Sequence, residues 1–440
     1  MKIFRPKNAC IFGANGSMGA QIGGIIAAFA DIPVYMIGRD LQKAKVGIEI
    51  AVSSVRSNSI RDKLIPIELS DVKKILLKSD LIIESVAENY ETKTEINKII
   101  SSVPNKKRVI GTNSSGLSIA TLSQSLLPED RENYFGIHFF NPPYKMLLCE
   151  IIPSKYSAKN LINPLHNFLE QLLLRKVVVA SDTPGFIANR IGFQFLNEAV
   201  IFAEKFKEKG GIDYIDNLLG KFTGRPIGPL ALIDFVGLDI HRSIVNNIFQ
   251  NGGRQYRNSF VIPKFMKKMI TSKLLGIKTN SGLYKIQNDS KKNKIKLVFD
   301  INSEKYRPVK LFTYEFITEI KDKIRIGDYR HAFQILKKDK SKESYIIRYF
   351  IAKYISYALS QAGNSTNSVR DVNCSLGYGF SWIPPTAFVD LLGGIKETTQ
   401  FIKEHKTLDV PKALISLKKN SFGSYYTLQD EFDYRSCIKT

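Results

Sequence analysis

Ala9-Cys10-Ile11-Phe12-Gly13-Ala14-Asn15-Gly16-Ser17-Met18-Gly19 decides how this chain reads. The four apolar residues suit a short buried strand, and residues 22–30 beyond the glycines are apolar and long enough for a helix. Residues 34–37 read as a second strand. Strand, glycine loop, helix and strand in that order is the context in which a glycine motif carries meaning. The glycines let backbone approach a pyrophosphate closely at the positive end of a helix. The spacing here, Gly-x-x-Gly-x-x-Gly, is one residue longer between the first two glycines than the common dinucleotide fingerprint. The competing reading is a tight turn that needs positive φ.

The alternation continues outward. Residues 81–83 form an apolar strand ending in Glu84, 91–100 a helix, and 108–112 a strand leading into Asn113-Ser114-Ser115-Gly116. A short helix over 121–127, a helix near 164–174 and a strand over 176–180 follow. The expected fold class is α/β, with a Rossmann-like doubly wound domain over residues 1–182. Loops at strand carboxyl ends line the ligand crevice of such a sheet, which singles out Val86-Ala87-Glu88-Asn89, Asn113-Ser114-Ser115 and Gly136-Ile137-His138.

The last of these opens a hairpin. Residues 134–138 are aromatic and β-branched, Asn141-Pro142-Pro143-Tyr144 breaks the strand, and 146–152 is apolar again. A reversal centred on Pro143 puts His138 opposite position 148, with Glu150 a diagonal neighbour on the same face. A carboxylate beside imidazole orients the ring and stabilises its charged form, as a general base requires. The bland alternative is a buried histidine bonded to a backbone carbonyl.

Asp182-Thr183-Pro184-Gly185 ends the alternation, and no strand signal recurs after it. Residues 186–206 read as one long helix opening a helical domain over 183–285. The stretch Gly228-Pro229-Leu230-Ala231-Leu232-Ile233-Asp234-Phe235-Val236-Gly237 returns as Pro384-Pro385-Thr386-Ala387-Phe388-Val389-Asp390-Leu391-Leu392-Gly393. A long apolar helix precedes each copy, so 345–440 reads as a second helical domain packed on the first as an internal pseudo-dimer. The Lys- and Asn-rich stretch 286–344 reads as linker with a few short elements, its lysines a solvated surface.

Composition is that of a globular chain, with 44% hydrophobic and 24% charged residues among 440, but the formal charge of +23 favours anionic partners. No stretch approaches the roughly 18 apolar residues of a membrane span, and no signal peptide is read at the N-terminus. Cys10, Cys149, Cys374 and Cys437 are scattered, which argues against a zinc site or a disulfide framework and suits a cytoplasmic protein.

Taken together the glycine loop, Glu84-Ser85-Val86-Ala87-Glu88-Asn89, 112–118, His138-Phe139-Phe140-Asn141-Pro142, Glu150 and Asp182-Thr183-Pro184-Gly185-Phe186-Ile187-Ala188-Asn189-Arg190 resemble the 3-hydroxyacyl-CoA dehydrogenases of fatty-acid β-oxidation. The likeness runs along the whole chain and is greatest to the long form with tandem C-terminal helical domains. The fused enoyl-CoA hydratase domain of that form is expected to be missing, since the sequence stops at Thr440. The resemblance implies an NAD cofactor held by Gly13, Gly16, Ser17, Met18, Gly19, Glu88 and Asn113; Arg39 joins them on its own chemistry, a guanidinium at the end of the second strand. It implies His138 as base, Glu150 as its partner, Ser115 and Asn189 on the substrate oxygens, and Asn141 at the thioester end. No metal is implied. Bottom-up, Ser115 also reads as a helix N-cap. Gly38-Arg39 stands where an acidic residue usually closes the second strand, which suits a 2′-phosphate on Arg39; Asp40 on the ribose and Arg39 stacked on the adenine stay open, so NAD is expected first, with NADP tolerated. The implied partners are an acyl-CoA substrate and separate hydratase and thiolase enzymes, with no nucleic acid; the chain is expected as a monomer by internal pseudo-dimer or as a homodimer. Two alternatives stay open: a hydroxy-acid dehydrogenase acting without coenzyme A, and a catalytically silent nucleotide-binding relative.

Overall fold

The computed structural model describes residues 3–105, 107–253, 256–288, 294–428, 431–436 and 438. They form two compact units, 1–186 and 187–440.

The first unit is built on one eight-stranded sheet in the order β3-β2-β1-β4-β5-β6-β7-β8. The strands are β1 (Ala9–Phe12), β2 (Val34–Gly38), β3 (Leu64–Glu68), β4 (Leu81–Glu84), β5 (Val109–Thr112), β6 (Tyr134–Phe139), β7 (Leu148–Pro153) and β8 (Lys176–Val179). The first six run parallel; β7 reverses against β6, and β8 runs parallel to β7. β1, β4 and β5 are buried along their whole length, as strands covered on both faces must be, and this is why they read as continuous apolar runs. β1 lies between β2 and β4, so the chain changes winding direction there and opens a crevice at the strand carboxyl ends.

Between residues 39 and 80, where the sequence signals little, lie the helix Leu41–Val55 and β3. β3 reads Leu-Ile-Pro-Ile-Glu, and its proline is tolerated because β3 is an edge strand.

The second unit is mostly helical. Its long helices Ala188–Lys205 and Lys342–Ser360 pack through aromatic rings: Phe195 lies 5.2 Å from Phe350, and Phe202 lies 4.9 Å from Phe350 and 5.4 Å from Tyr349. The buried Arg225 guanidinium sits 3.8 Å over the Phe195 ring and 4.7 Å over Trp382. The internal repeat extends beyond its sequence signature. Asp234, in the helix Pro229–Val236, accepts hydrogen bonds from Leu283 N and Tyr284 N, both at 2.7 Å. Asp390, in the helix Pro385–Leu392, accepts from Tyr425 N and Tyr426 N at 3.0 Å.

The described part of 286–344 is more ordered than a linker with a few short elements, and the second unit is not all helical. β9 (Tyr284–Asn288), β10 (Lys294–Asp300) and β11 (Lys305–Pro308) form a three-stranded antiparallel sheet, and the helices Glu315–Arg325 and Tyr329–Lys338 follow. Lysines on the exposed half of β10 obscure its strand character, while Val298 and Phe299 are buried. Arg307 anchors this sheet, donating to Asp213 at 2.7 Å and to Asp300 at 3.1 Å. Cys10 and Cys149 are buried free thiols and Cys374 is half-buried; Cys437 lies outside the described residues.

Candidate active site

The site grows from the β6–β7 hairpin. The register pairs His138 directly with Glu150 rather than with position 148. Lys145 N and Met146 N both donate to Pro142 O, at 3.0 and 2.9 Å, closing a compact turn that moves the centre of the hairpin one residue past Pro143. Directly opposed residues of an antiparallel pair share a face, and His138 Nδ1–H donates to Glu150 Oε2 at 2.8 Å. An ionised carboxylate only accepts, so the bond fixes the ring tautomer and leaves Nε2 as the nitrogen that can take a proton. Glu150 is wholly buried and His138 is 4% exposed. Phe140 packs 4.5 Å and Phe186 5.6 Å from the imidazole, centroid to centroid.

Next to His138 runs the loop after β5. Asn113 Oδ1 accepts from Phe139 N at 2.8 Å, so this side chain ties the loop to the end of β6. Glu88, in the loop after β4, accepts from Ser114 Oγ at 2.7 Å and from Ser115 N and Gly116 N, both at 2.9 Å. Burial alone would raise the Glu88 pKa; Lys93 and these donors outweigh it and hold the carboxyl below its ordinary range. Lys93 is itself buried, with Nζ 2.9 Å from Glu84 and 3.5 Å from Glu88. Thr112 Oγ1 and Val86 N also donate to Glu84, at 2.6 and 2.7 Å, so this strand-end carboxylate is fully engaged. Ser115 is half-buried, and its hydroxyl makes only a long 3.4 Å contact to Glu88. Ser115 does not cap the helix Ile119–Ser123: Ser118 does, together with Asp182.

On the other side of the crevice lies the glycine loop. Gly13 has φ +75°, and a Cβ there would stand 2.5 Å from Ser85 O; a Cβ at Gly19 would stand 2.4 Å from Gly13 O. Gly16 precedes the helix Ser17–Ile25, whose first backbone N–H groups, including those of Ser17, Met18 and Gly19, have no intrahelical acceptor. The Met18 side chain packs against the core, so its offer to a ligand is its backbone. A cavity of about 640 Å³ opens here, lined among others by Gly13, Asn15, Gly16, Gly38, Arg39, Lys43 and Val86. These residues fit a dinucleotide: a close-approach glycine turn, free amides at a helix start and two cations. Gly38 leaves no room for a larger residue, because a Cβ would meet Ala44 N at 2.5 Å. The acidic residue usual at that point is excluded by the close helix, whose N-cap, Asp40, accepts from Lys43 N at 2.8 Å.

The structure thus gathers His138, Glu150, Asn113, Ser115 and Glu88 along one edge of the first unit, with Gly13, Gly16, Ser17, Met18, Gly19 and Arg39 around β1. Asn141 is exposed at the hairpin turn, joined to Pro142 by a cis peptide bond. Asn189 lies at the start of the second unit's first helix and is buried. Sequence reasoning passed over Lys93, Phe186 and the grip of Asp182. A lysine three residues into an amphipathic helix carries no local signal that it points inward.

Comparison with known proteins matches residues 8–183 to the family model "3-hydroxyacyl-CoA dehydrogenase, NAD binding domain" and 185–286 to "3-hydroxyacyl-CoA dehydrogenase, C-terminal domain". A probable 3-hydroxyacyl-CoA dehydrogenase of Deinococcus radiodurans is 31% identical, over 65% of this chain and 84% of its own length. One of Bacillus subtilis is 26% identical over 98% of this chain, which spans 57% of that relative's length. The crystal structure of 3-hydroxybutyryl-CoA dehydrogenase from Escherichia coli K12 shares the fold, with a TM-score of 0.68 at 19% identity over 93% of this chain and 96% of that one. Among the described residues no helix is long and apolar enough to cross a membrane. A match that runs from the glycine loop through the first helical repeat settles the kinship: the chain belongs to the 3-hydroxyacyl-CoA dehydrogenase family and carries that family's NAD-binding domain.

Proposed function

We propose that this chain catalyses the reversible NAD-dependent oxidation of an L-3-hydroxyacyl-CoA to the 3-oxoacyl-CoA, as a step of fatty-acid β-oxidation. The observation that carries the reading is the buried 2.8 Å pair of His138 and Glu150 at the carboxyl edge of a dinucleotide-type sheet. A protein that only binds nucleotide has no use for such a pair.

Bound NAD supplies the acceptor for the hydride that leaves the substrate's C3. His138 Nε2 takes the proton of the 3-hydroxyl. Glu150, facing Nδ1–H, stabilises the imidazolium as it forms and keeps the ring from turning. Phe140 and Phe186 shield the imidazole from water, which strengthens its interaction with the carboxylate. Ser115 offers a hydroxyl to the substrate oxygen from a loop braced by Glu88. Asn189 as a second ligand of that oxygen, and Asn141 at the thioester end, belong to the same proposal. The charge of +23 favours capture of coenzyme A and NAD, both polyanions.

The test is the purified protein with acetoacetyl-CoA and NADH. Cofactor oxidation supports the reading. Turnover of free 3-oxo acids alone would shift it to a hydroxy-acid dehydrogenase without coenzyme A, and no turnover of either would leave a nucleotide-binding relative.

A further inference from the structure

The segment Asn113-Ser114-Ser115-Gly116-Leu117-Ser118 is short, polar and glycine-containing, a composition that does not hold itself still. It is fastened at three points. Asn113 bonds the end of β6, Glu88 takes the amides of Ser115 and Gly116, and Asp182 takes the far end. Asp182 accepts from Ser118 Oγ at 3.0 Å, from Ile119 N at 2.9 Å and from Ala120 N at 2.8 Å.

Asp182 also opens a tight turn. Thr183 N donates to Ser181 O and Phe186 N to Thr183 O, both at 2.8 Å. The turn closes on Gly185 at φ +77° and Phe186 at φ +51°. Left-handed backbone suits glycine, but a bulky aromatic residue adopts it only where surroundings impose it. Phe186 is buried, with its ring 5.6 Å from that of His138. One carboxylate therefore joins the loop that bears Ser115 to the turn that lays Phe186 on His138.

We propose that Asp182 is a positioning residue for the reaction: its grip on 118–120 sets the Ser115 hydroxyl relative to the His138 imidazole. The inference rests on the dehydrogenase reading above. The rival account is a cap that merely stabilises the five-residue helix Ile119–Ser123. The two differ in what they predict once the protein is folded. A plain cap lowers the melting temperature and leaves kcat of the folded enzyme alone. A positioning residue lowers kcat through Ser115, so its effect must vanish when the Ser115 hydroxyl is already gone.

The experiment compares full-length wild type, Asp182→Asn, Asp182→Ala, Ser115→Ala and the Ser115→Ala/Asp182→Ala double variant, with acetoacetyl-CoA and NADH. Loss of alignment is expected to lower kcat of Asp182→Ala by about 10- to 100-fold, with the KM for NADH unchanged. Asp182→Asn keeps one accepting oxygen, so its loss should be smaller; it also serves if the alanine variant fails to fold. On the Ser115→Ala background the second substitution should cost less than about twofold. Wild-type kcat in both Asp182 variants, or a penalty that multiplies in full on Ser115→Ala, overturns the proposal. If wild type itself turns over no acyl-CoA, the dehydrogenase reading has failed and amide hydrogen exchange decides the rest. Faster exchange in Asp182→Asn at both 115–120 and 183–186 supports the coupling of loop to turn; exchange unchanged at either segment overturns it.

Discussion

His138 and Glu150 face each other across a directly paired antiparallel register, Nδ1 to Oε2 at 2.8 Å, with the carboxylate wholly shut off from solvent. A general base, the role proposed for His138, is worth about 10²–10⁴ in rate. His138→Gln is expected to lower kcat by that factor, and Glu150→Gln to lower it as well, both with unchanged circular dichroism. Near wild-type turnover of His138→Gln on a 3-oxoacyl-CoA would show that the base lies elsewhere.

The placement proposed for NAD brings its adenosine end to the turn after β2. Asp40 is committed to capping the helix Leu41–Val55 and pairs with Lys43 at 3.3 Å, which leaves the exposed Arg39 lining the cavity. A guanidinium suits a 2′-phosphate. The expected result is a preference for NADH over NADPH in kcat/KM with measurable NADPH activity, and a wider preference in Arg39→Ala. A ratio that Arg39→Ala leaves unmoved would remove Arg39 from cofactor choice.

Glu198 and Lys353 join the two long helices of the second unit by a buried 2.9 Å ion pair, to which Tyr349 donates its hydroxyl hydrogen at 2.9 Å. Burial pulls the Lys353 pKa down, and Glu198 opposes that. Removing one partner strands a buried charge, so Lys353→Met should cost about 3–5 kcal/mol in urea unfolding. Glu198→Gln/Lys353→Met should recover much of it, because neither charge then remains to be solvated. A double variant no more stable than Lys353→Met would mean the loss comes from packing.

His241 provides a pH signature. It is fully buried, Nε2–H donates to Asn197 Oδ1 at 3.0 Å, and desolvation pulls its pKa from 6.5 to about 3. The unfolded chain takes the proton below pH 6.5 while the folded protein refuses it until about 3. The stability from this group is therefore complete above 6.5 and drains away as pH falls toward the folded value. At about 1.4 kcal/mol per pH unit, it forfeits roughly 3 kcal/mol by pH 4. His241→Gln should melt lower at pH 7.5 but lose less on acidification to pH 4.5. Parallel pH profiles for the two proteins would assign the acid sensitivity to other groups.

Most strands of the first unit were written in local patterns. Buried parallel strands must be apolar throughout and glycine is needed where backbone crosses backbone, so β1, β2, β4, β5, β6 and β8 and the glycine loop are legible, with small shifts at the strand ends. The repeat around Asp234 and Asp390 is legible for the same reason, since helix starts and stops are local chemistry. What tertiary structure alone decided is which donor meets which acceptor. Glu88 and Ser114 are 26 residues apart and Asp182 and Ser118 are 64 apart, and no periodicity links such partners. The hairpin register turned on a single residue, because hydrogen bonds to Pro142 O set the size of the turn. Lysines hid β10, whose first three residues are exposed while the adjacent Val298 and Phe299 are buried. Local sequence determines what a segment can be; the burial of distant polar groups, which must find partners or pay desolvation, determines where it goes.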